Sequence, residues 1–135
     1  MRLTPEYTAG IIDGEGSIGI ARTLSRGRAQ HSLHVGVVNS YRPLVESLVE
    51  TYGGVIRTRK PVGLSRKTQY EWRLYGPSAG LFLDFIQDYL FEKKNQSWLA
   101  REFLAQKRTG TNTKLSEEEV ALRDGFYLAL RASKV

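Results

Sequence analysis

Asp13 and Glu15 stand between glycines in the stretch AGIIDGEGSIGI, Ala9 to Ile20, where one apolar run gives way to another. Gly14, Gly16 and Gly19 within it spell GxGxxG. That spacing cradles a dinucleotide only when a strand precedes the glycines and a helix follows, so that the helix N-terminus meets the pyrophosphate. Here a helical pattern comes first and an alternating one second, which argues against a nucleotide site. In the observed order, a helix delivers a carboxylate as the chain turns into a strand. Ala9, Gly10, Asp13 and Gly14 fall at three- and four-residue spacings and form one nearly side-chain-free stripe, over which another backbone can pass closely. Asp13 and Glu15, two residues apart on a helix, point about 200° apart. They therefore have different tasks, Asp13 in the stripe and Glu15 at the helix end.

The elements that must position these acids follow from periodicity. In LTPEYTAGIIDG, Thr4 is a helix N-cap, Pro5 suits the first turn, and Gly14 or Gly16 ends the helix. SIGIART alternates as a strand, a basic loop LSRGRAQ follows, and HSLHVGVV is its hairpin partner. Beyond Asn39, Leu44, Val45, Leu48, Val49 and Tyr52 share a helical face closed by the glycines of YGG, with Pro43 in the first turn. VIRTRK and QYEWRLY form a second hairpin around a basic loop at Gly63. GPSAGLFLDFIQDYL and NQSWLAREFLAQKR are helical, with KRTGTNTK the only loose connector, and the capping box SEEE at Ser116 starts a last helix over about 116–132 with Leu122, Phe126 and Leu130 inward. Tyr70, Trp72, Trp98 and Phe103 fit core positions. Hairpins alternating with helices imply an α+β fold, an antiparallel sheet covered by helices on one face, in a single domain over 1–135.

With 135 residues, 41% of them hydrophobic, the chain can build one core of its own. No apolar run approaches the roughly 20 residues a membrane helix needs, and no signal peptide is evident, so an intracellular protein without membrane contact is expected. The absence of cysteine excludes disulfides and thiolate metal sites. Lys and Arg outnumber Asp and Glu by 20 to 14, a formal charge of +6 that favours an anionic partner.

TAGIIDGEG, Thr8 to Gly16, followed by Ser17 and an apolar strand, resembles the nine-residue signature of the LAGLIDADG homing endonucleases. Ala9, Gly10, Ile12, Asp13 and Gly16 match it identically; Ile11 replaces a leucine, Glu15 stands at the second acid, and Thr8 and Gly14 depart from it. The αββαββα order, Asn39 at the foot of the second strand, RTR in the third and YLFEKKNQ before a late helix extend the resemblance over most of the chain. It implies a saddle-shaped sheet lying in the major groove of double-stranded DNA, and two signature helices side by side, whose terminal carboxylates hold divalent metal beneath the scissile phosphates. One signature per chain implies a homodimer, with Ala9, Gly10, Asp13 and Gly14 at the interface and a nearly palindromic target. The resemblance implies Glu15 as metal ligand, with the Gly14 carbonyl as another, and Mg²⁺ as the hard cation suited to oxygen ligands. Asn39 matches the polar residue that orders water at the metals, a helix-cap role being equally open to it. Lys93 matches the basic residue that offsets charge at the phosphate, with Lys94 as its competitor.

Base reading would fall to the strand face opposite the apolar residues. By alternation that face carries Gly19, Ala21, Thr23 and Ser25, then Ser32 and His34, then Arg57 or Thr58 with Arg59, then Gln69, Glu71 and Arg73. Arginine can grip guanine, glutamine adenine, and glutamate can accept from cytosine. Arg26, Arg28, Lys60, Arg66 and Lys67 lie in hairpin loops, suited to phosphates, while Arg22 has the wrong parity unless the strand bulges. Three functions are thus compatible with the sequence: a homodimeric, metal-dependent, site-specific DNA endonuclease serving intron mobility; a non-cleaving protein of the same fold, either an RNA maturase or a DNA-binding regulator; and a basic α+β domain whose glycine corner is structural.

Overall fold

The computed structural model describes residues 1–61, 67–106 and 116–133. Helix α1 (Pro5–Glu15) begins at Thr4, whose hydroxyl accepts the Tyr7 N–H at 3.2 Å, with Pro5 in the first turn. It stops at Gly16, where the backbone turns extended while its N–H still donates to the Ile12 carbonyl. A Cβ on Gly16 would lie 2.8 Å from Ile12 Cα, so only glycine lets the chain leave the helix this tightly. Strand β1 (Gly16–Ser25) therefore follows α1 directly.

Strand β1 pairs antiparallel with β2 (Arg28–Asn39) without a bulge, from Gly16 opposite Val37 to Ser25 opposite Arg28. The loop expected over residues 24–30 is much smaller. Only Arg26 and Gly27 turn the chain, both with positive φ (53° and 75°), the turn geometry whose twist matches the flanking strands. Helix α2 (Arg42–Tyr52) has Pro43 in its first turn and ends at Gly53, with φ 77°. Strands β3 (Val55–Arg59) and β4 (Gln69–Tyr75), helix α3 (Gly76–Ile86), a 3-10 turn over Gln87–Tyr89, α4 (Lys94–Leu104) and α5 (Glu117–Ala132) complete the chain. The capping box between Ser116 and Glu119 is present at the start of α5. The predicted loop around Gly63, with Arg66, and the connector KRTGTNTK lie outside the described residues.

The four strands form one antiparallel sheet in the order β1-β2-β4-β3. The fold is thus α+β with the expected αββαββα order, extended by two helices. Ile18, Ile20, Leu33, Val35, Val37, Trp72 and Leu74 are buried on the side the helices cover. Full burial of such a side chain contributes about 1.5–3 kcal/mol, and a one-residue slip would turn whole strands of them outward, so the burial pattern fixes the register. Trp72 anchors the centre: its Nε1 donates to the Gly53 carbonyl at 2.8 Å and its ring meets Phe82 edge to face.

Two expected core positions are not in the core. Trp98 is 51% exposed because α4 turns Gln96, Ser97, Ala100 and Phe103 inward, leaving Trp98 on its outer flank. Leu122 is likewise exposed, since α5 presents Phe126, Tyr127 and Leu130 to the core and Asp124 to the sheet.

Candidate active site and nucleic-acid interface

Glu15 is the last residue of α1, exposed, where the partial negative charge of the helix dipole accumulates. A carboxylate there is locally unfavourable, and among the described residues it has no ion pair. It meets Asn39 instead: Nδ2 donates to Glu15 Oε2 at 2.6 Å, and Asn39 Oδ1 accepts the Tyr41 N–H at 2.7 Å. The second bond locks the amide just before α2, although Tyr41, not Asn39, is the N-cap residue. Lys93 reaches the same helix end, its Nζ donating to the Asp13 carbonyl at 2.8 Å. Lys94 is exposed as the first residue of α4. The chain thus gathers an acid, an amide and an ammonium at the tip of α1.

Asp13 holds the segment that delivers Lys93. Its carboxylate accepts the backbone N–H groups of Phe91 at 2.8 Å and Lys93 at 2.9 Å. That role differs from the expected one in an intersubunit stripe. Ala9 also departs from it, being fully buried within its own chain. Gly10 and Gly14 are exposed, and a Cβ at either would meet nothing within 4 Å, so both leave open backbone along α1. The stripe is narrower than the spacing suggested because Ala9 and Ile12 turn toward the core. Among the described residues no three His, Asp or Glu side chains converge as a metal cluster. Glu15, with the Gly14 carbonyl beside it, therefore fits a divalent cation only as part of a larger oxygen set completed by water, phosphate or a second subunit.

The sheet face away from the helices carries Gly19, Ala21, Thr23, Ser32, His34, Arg57, Arg59, Gln69, Glu71 and Arg73, with Ser25 pairing with Arg28 at the hairpin tip. Register settles the alternative on β3: Ile56 pairs with buried Trp72, so Ile56 and Thr58 face the helices while Arg57 and Arg59 face outward beside Glu71 and Gln69. Arg26, Arg28, Lys60 and Lys67 are exposed. Glu71 is bound within the face, 3.1 Å from Arg73 Nη2. The same alternation adds Ser17, Gln30, Val38, Val55 and Tyr75, which the sequence reading passed over.

Arg22 lies on the helix side, as its parity requires. It donates from Nε to Asp124 Oδ1 at 2.8 Å, and His31 Nε2 meets the same oxygen at 2.8 Å. The His31 bond, with Arg22 beside it, holds the Asp124 carboxyl below its ordinary pKa. This cluster, which ties α5 to the first hairpin, was not anticipated. Its sequence signals were Arg22 sharing the parity of Ile18 and Ile20, and His31 that of Leu33 and Val35.

No protein-family model and no curated protein matches the chain. Solved structures do. The homing endonuclease I-CvuI, crystallised with a DNA target in the presence of magnesium, superposes with TM-score 0.80 at 16% identity, over 96% of this chain and 81% of that one. The homing endonuclease I-TnaI matches with TM-score 0.75 at 20% identity, over 98% of this chain and 97% of that one. The LAGLIDADG homing endonuclease I-GzeII, crystallised with its DNA target, matches with TM-score 0.71 at 18% identity, and this chain spans 44% of its length. At 16–20% identity and TM-scores of 0.71–0.80 the likeness lies in the fold: the chain has the fold of the LAGLIDADG homing endonucleases.

Proposed function

We propose that the protein belongs to the LAGLIDADG homing endonucleases and cuts both strands of a long, nearly palindromic DNA duplex as a metal-dependent homodimer, serving intron mobility. The observation that carries the reading is the convergence at the tip of α1: exposed Glu15 held by Asn39, with Lys93 on the neighbouring carbonyl. This chain spans only 44% of the length of I-GzeII, which supports a unit that works in pairs.

Each subunit would supply one carboxylate at the end of its α1, and exposed Gly10 and Gly14 would let two such helices approach at backbone distance. Glu15 and the Gly14 carbonyl would hold the divalent cation, Mg²⁺ being suited to oxygen ligands. When bound, that ion would polarise the scissile phosphate and lower the pKa of an attacking water. Asn39 fixes the Glu15 rotamer so that the carboxylate need not be ordered during the reaction. Lys93, an ammonium beside the same helix end, would offset charge developing on the phosphate. The open sheet face would lie along the major groove, with Arg57, Arg59, Gln69 and Arg73 toward base edges and Arg26, Arg28, Lys60 and Lys67 toward phosphates.

The test is incubation with Mg²⁺ and a library of duplex targets, in parallel with Glu15→Gln. Double-strand cuts that disappear in the variant while DNA binding persists are the expected result. Selective binding of DNA or RNA by the wild type without any cleavage would replace this reading with that of a regulator or maturase, and absence of nucleic-acid affinity at low salt would end both.

A further inference from the structure

Glu71 is the one acid among the strand residues that face outward beside Arg57, Arg59 and Arg73. Glutamate at such a place can accept a hydrogen bond from cytosine. Its geometry here is unsuited to that. Its side chain is only 12% exposed, and its Oε2 lies 3.1 Å from Arg73 Nη2, two residues along the same strand and on the same face. Arg73 is constrained from a second direction as well. Gly36 is its cross-strand neighbour on β2, and a Cβ there would lie 3.2 Å from Arg73 Cγ and 3.7 Å from Nε. The stem of Arg73 therefore lies flat over bare backbone while its head is held by the carboxylate.

We infer that Glu71 is a positioning residue, not a base reader: it holds the Arg73 guanidinium in one pose over Gly36, so that Arg73 reads a guanine at one fixed place in each half-site. The inference rests on the DNA-binding reading above. An unrestrained arginine must surrender its rotamer freedom on binding, whereas one already ordered by Glu71 and Gly36 has lost much of it beforehand. A planar donor fork fixed in advance also rejects a wrong base more sharply than one free to find another acceptor.

The experiment measures binding of the full-length protein to its selected duplex and to every single base-pair change of it. Arg73→Lys, which keeps the charge and loses the fork, locates the symmetric pair of positions that Arg73 reads. Glu71→Gln, nearly isosteric, should weaken guanine preference at that same pair on the order of tenfold. Preferences elsewhere should stay unchanged, and affinity for unrelated DNA should rise because a negative charge has left the face. In the Arg73→Lys background, Glu71→Gln should have no further effect on preference. If Glu71→Gln instead relaxes a different position, or if the two changes add independently, the positioning role is wrong while the DNA-binding reading stands. A wild type that selects no duplex at all overturns both.

Discussion

Replacing both Gly10 and Gly14 by alanine should move two properties in opposite directions. A Cβ at either position meets nothing within 4 Å in the isolated chain. The change should therefore act on the monomer through helix propensity alone, about 1 kcal/mol of stabilisation at Gly10 and less at Gly14 in the last turn. At a concentration low enough to keep the protein monomeric, Tm should rise by roughly 3–6 °C. In a dimer whose α1 helices touch through these glycines, the two substitutions place four methyl groups in a two-fold contact. At about 1 kcal/mol or more for each overpacked methyl, dimerisation weakens by at least about 4 kcal/mol, near a thousandfold in Kd. Melting followed over a wide range of concentration, with sedimentation alongside, separates the two effects. The wild-type Tm should climb with concentration and that of the variant should not. Metal-dependent cleavage should fall with the dimer. A double variant that still dimerises and cuts at the wild-type rate refutes the claim that these glycines form the subunit contact.

Three further outcomes are expected. Asp13→Ala removes the acceptor of two backbone N–H groups and should cost about 2 kcal/mol in denaturant unfolding, with hydrogen exchange accelerated at Phe91 and Lys93 first; unchanged protection there would contradict the tether. Asp124→Asn should destabilise by about 1 kcal/mol at neutral pH, since the carboxylate binds both His31 and a partly exposed Arg22. Because the folded-state pKa of Asp124 is lowered, this contribution is present above its unfolded value of 3.8 and fades as pH falls through the folded value. Wild type and variant should converge in acid urea titrations. Gly16→Ala should destabilise strongly, because its Cβ would enter the Ile12 backbone at 2.8–2.9 Å.

The sequence carried the fold wherever one physical rule governed a segment. Thr4, Pro43, Gly53 and the Ser116 capping box marked helix ends correctly, since a cap depends on neighbours only a few residues away. Alternation placed Trp72 inside and Arg73 outside because a strand has just two faces. It was less reliable for helices, whose buried arc depends on what they pack against. Trp98 lies outside it while Gln96 and Ser97 lie within, and Asp124 faces the sheet because Arg22 and His31 await it. The first hairpin turn is tighter than the basic, glycine-bearing LSRGRAQ suggests, because Arg26 and Gly27 suffice to reverse the chain. At the candidate site, helix spacing set Glu15 apart from Asp13, and the family resemblance added Asn39 and Lys93. The task of Asp13 could not be read from them, since its partners lie 78 and 80 residues away.

Since Asp13 grips the strap before α4 and Lys93 returns to the Asp13 carbonyl, the acid and the ammonium ride on a single lever. In the proposed dimer, a tilt of α1 against its twin would carry Glu15 and Lys93 together, and the separation between them would be insulated from how the two copies settle. Alignment of the whole centre then reduces to the orientation of one rod.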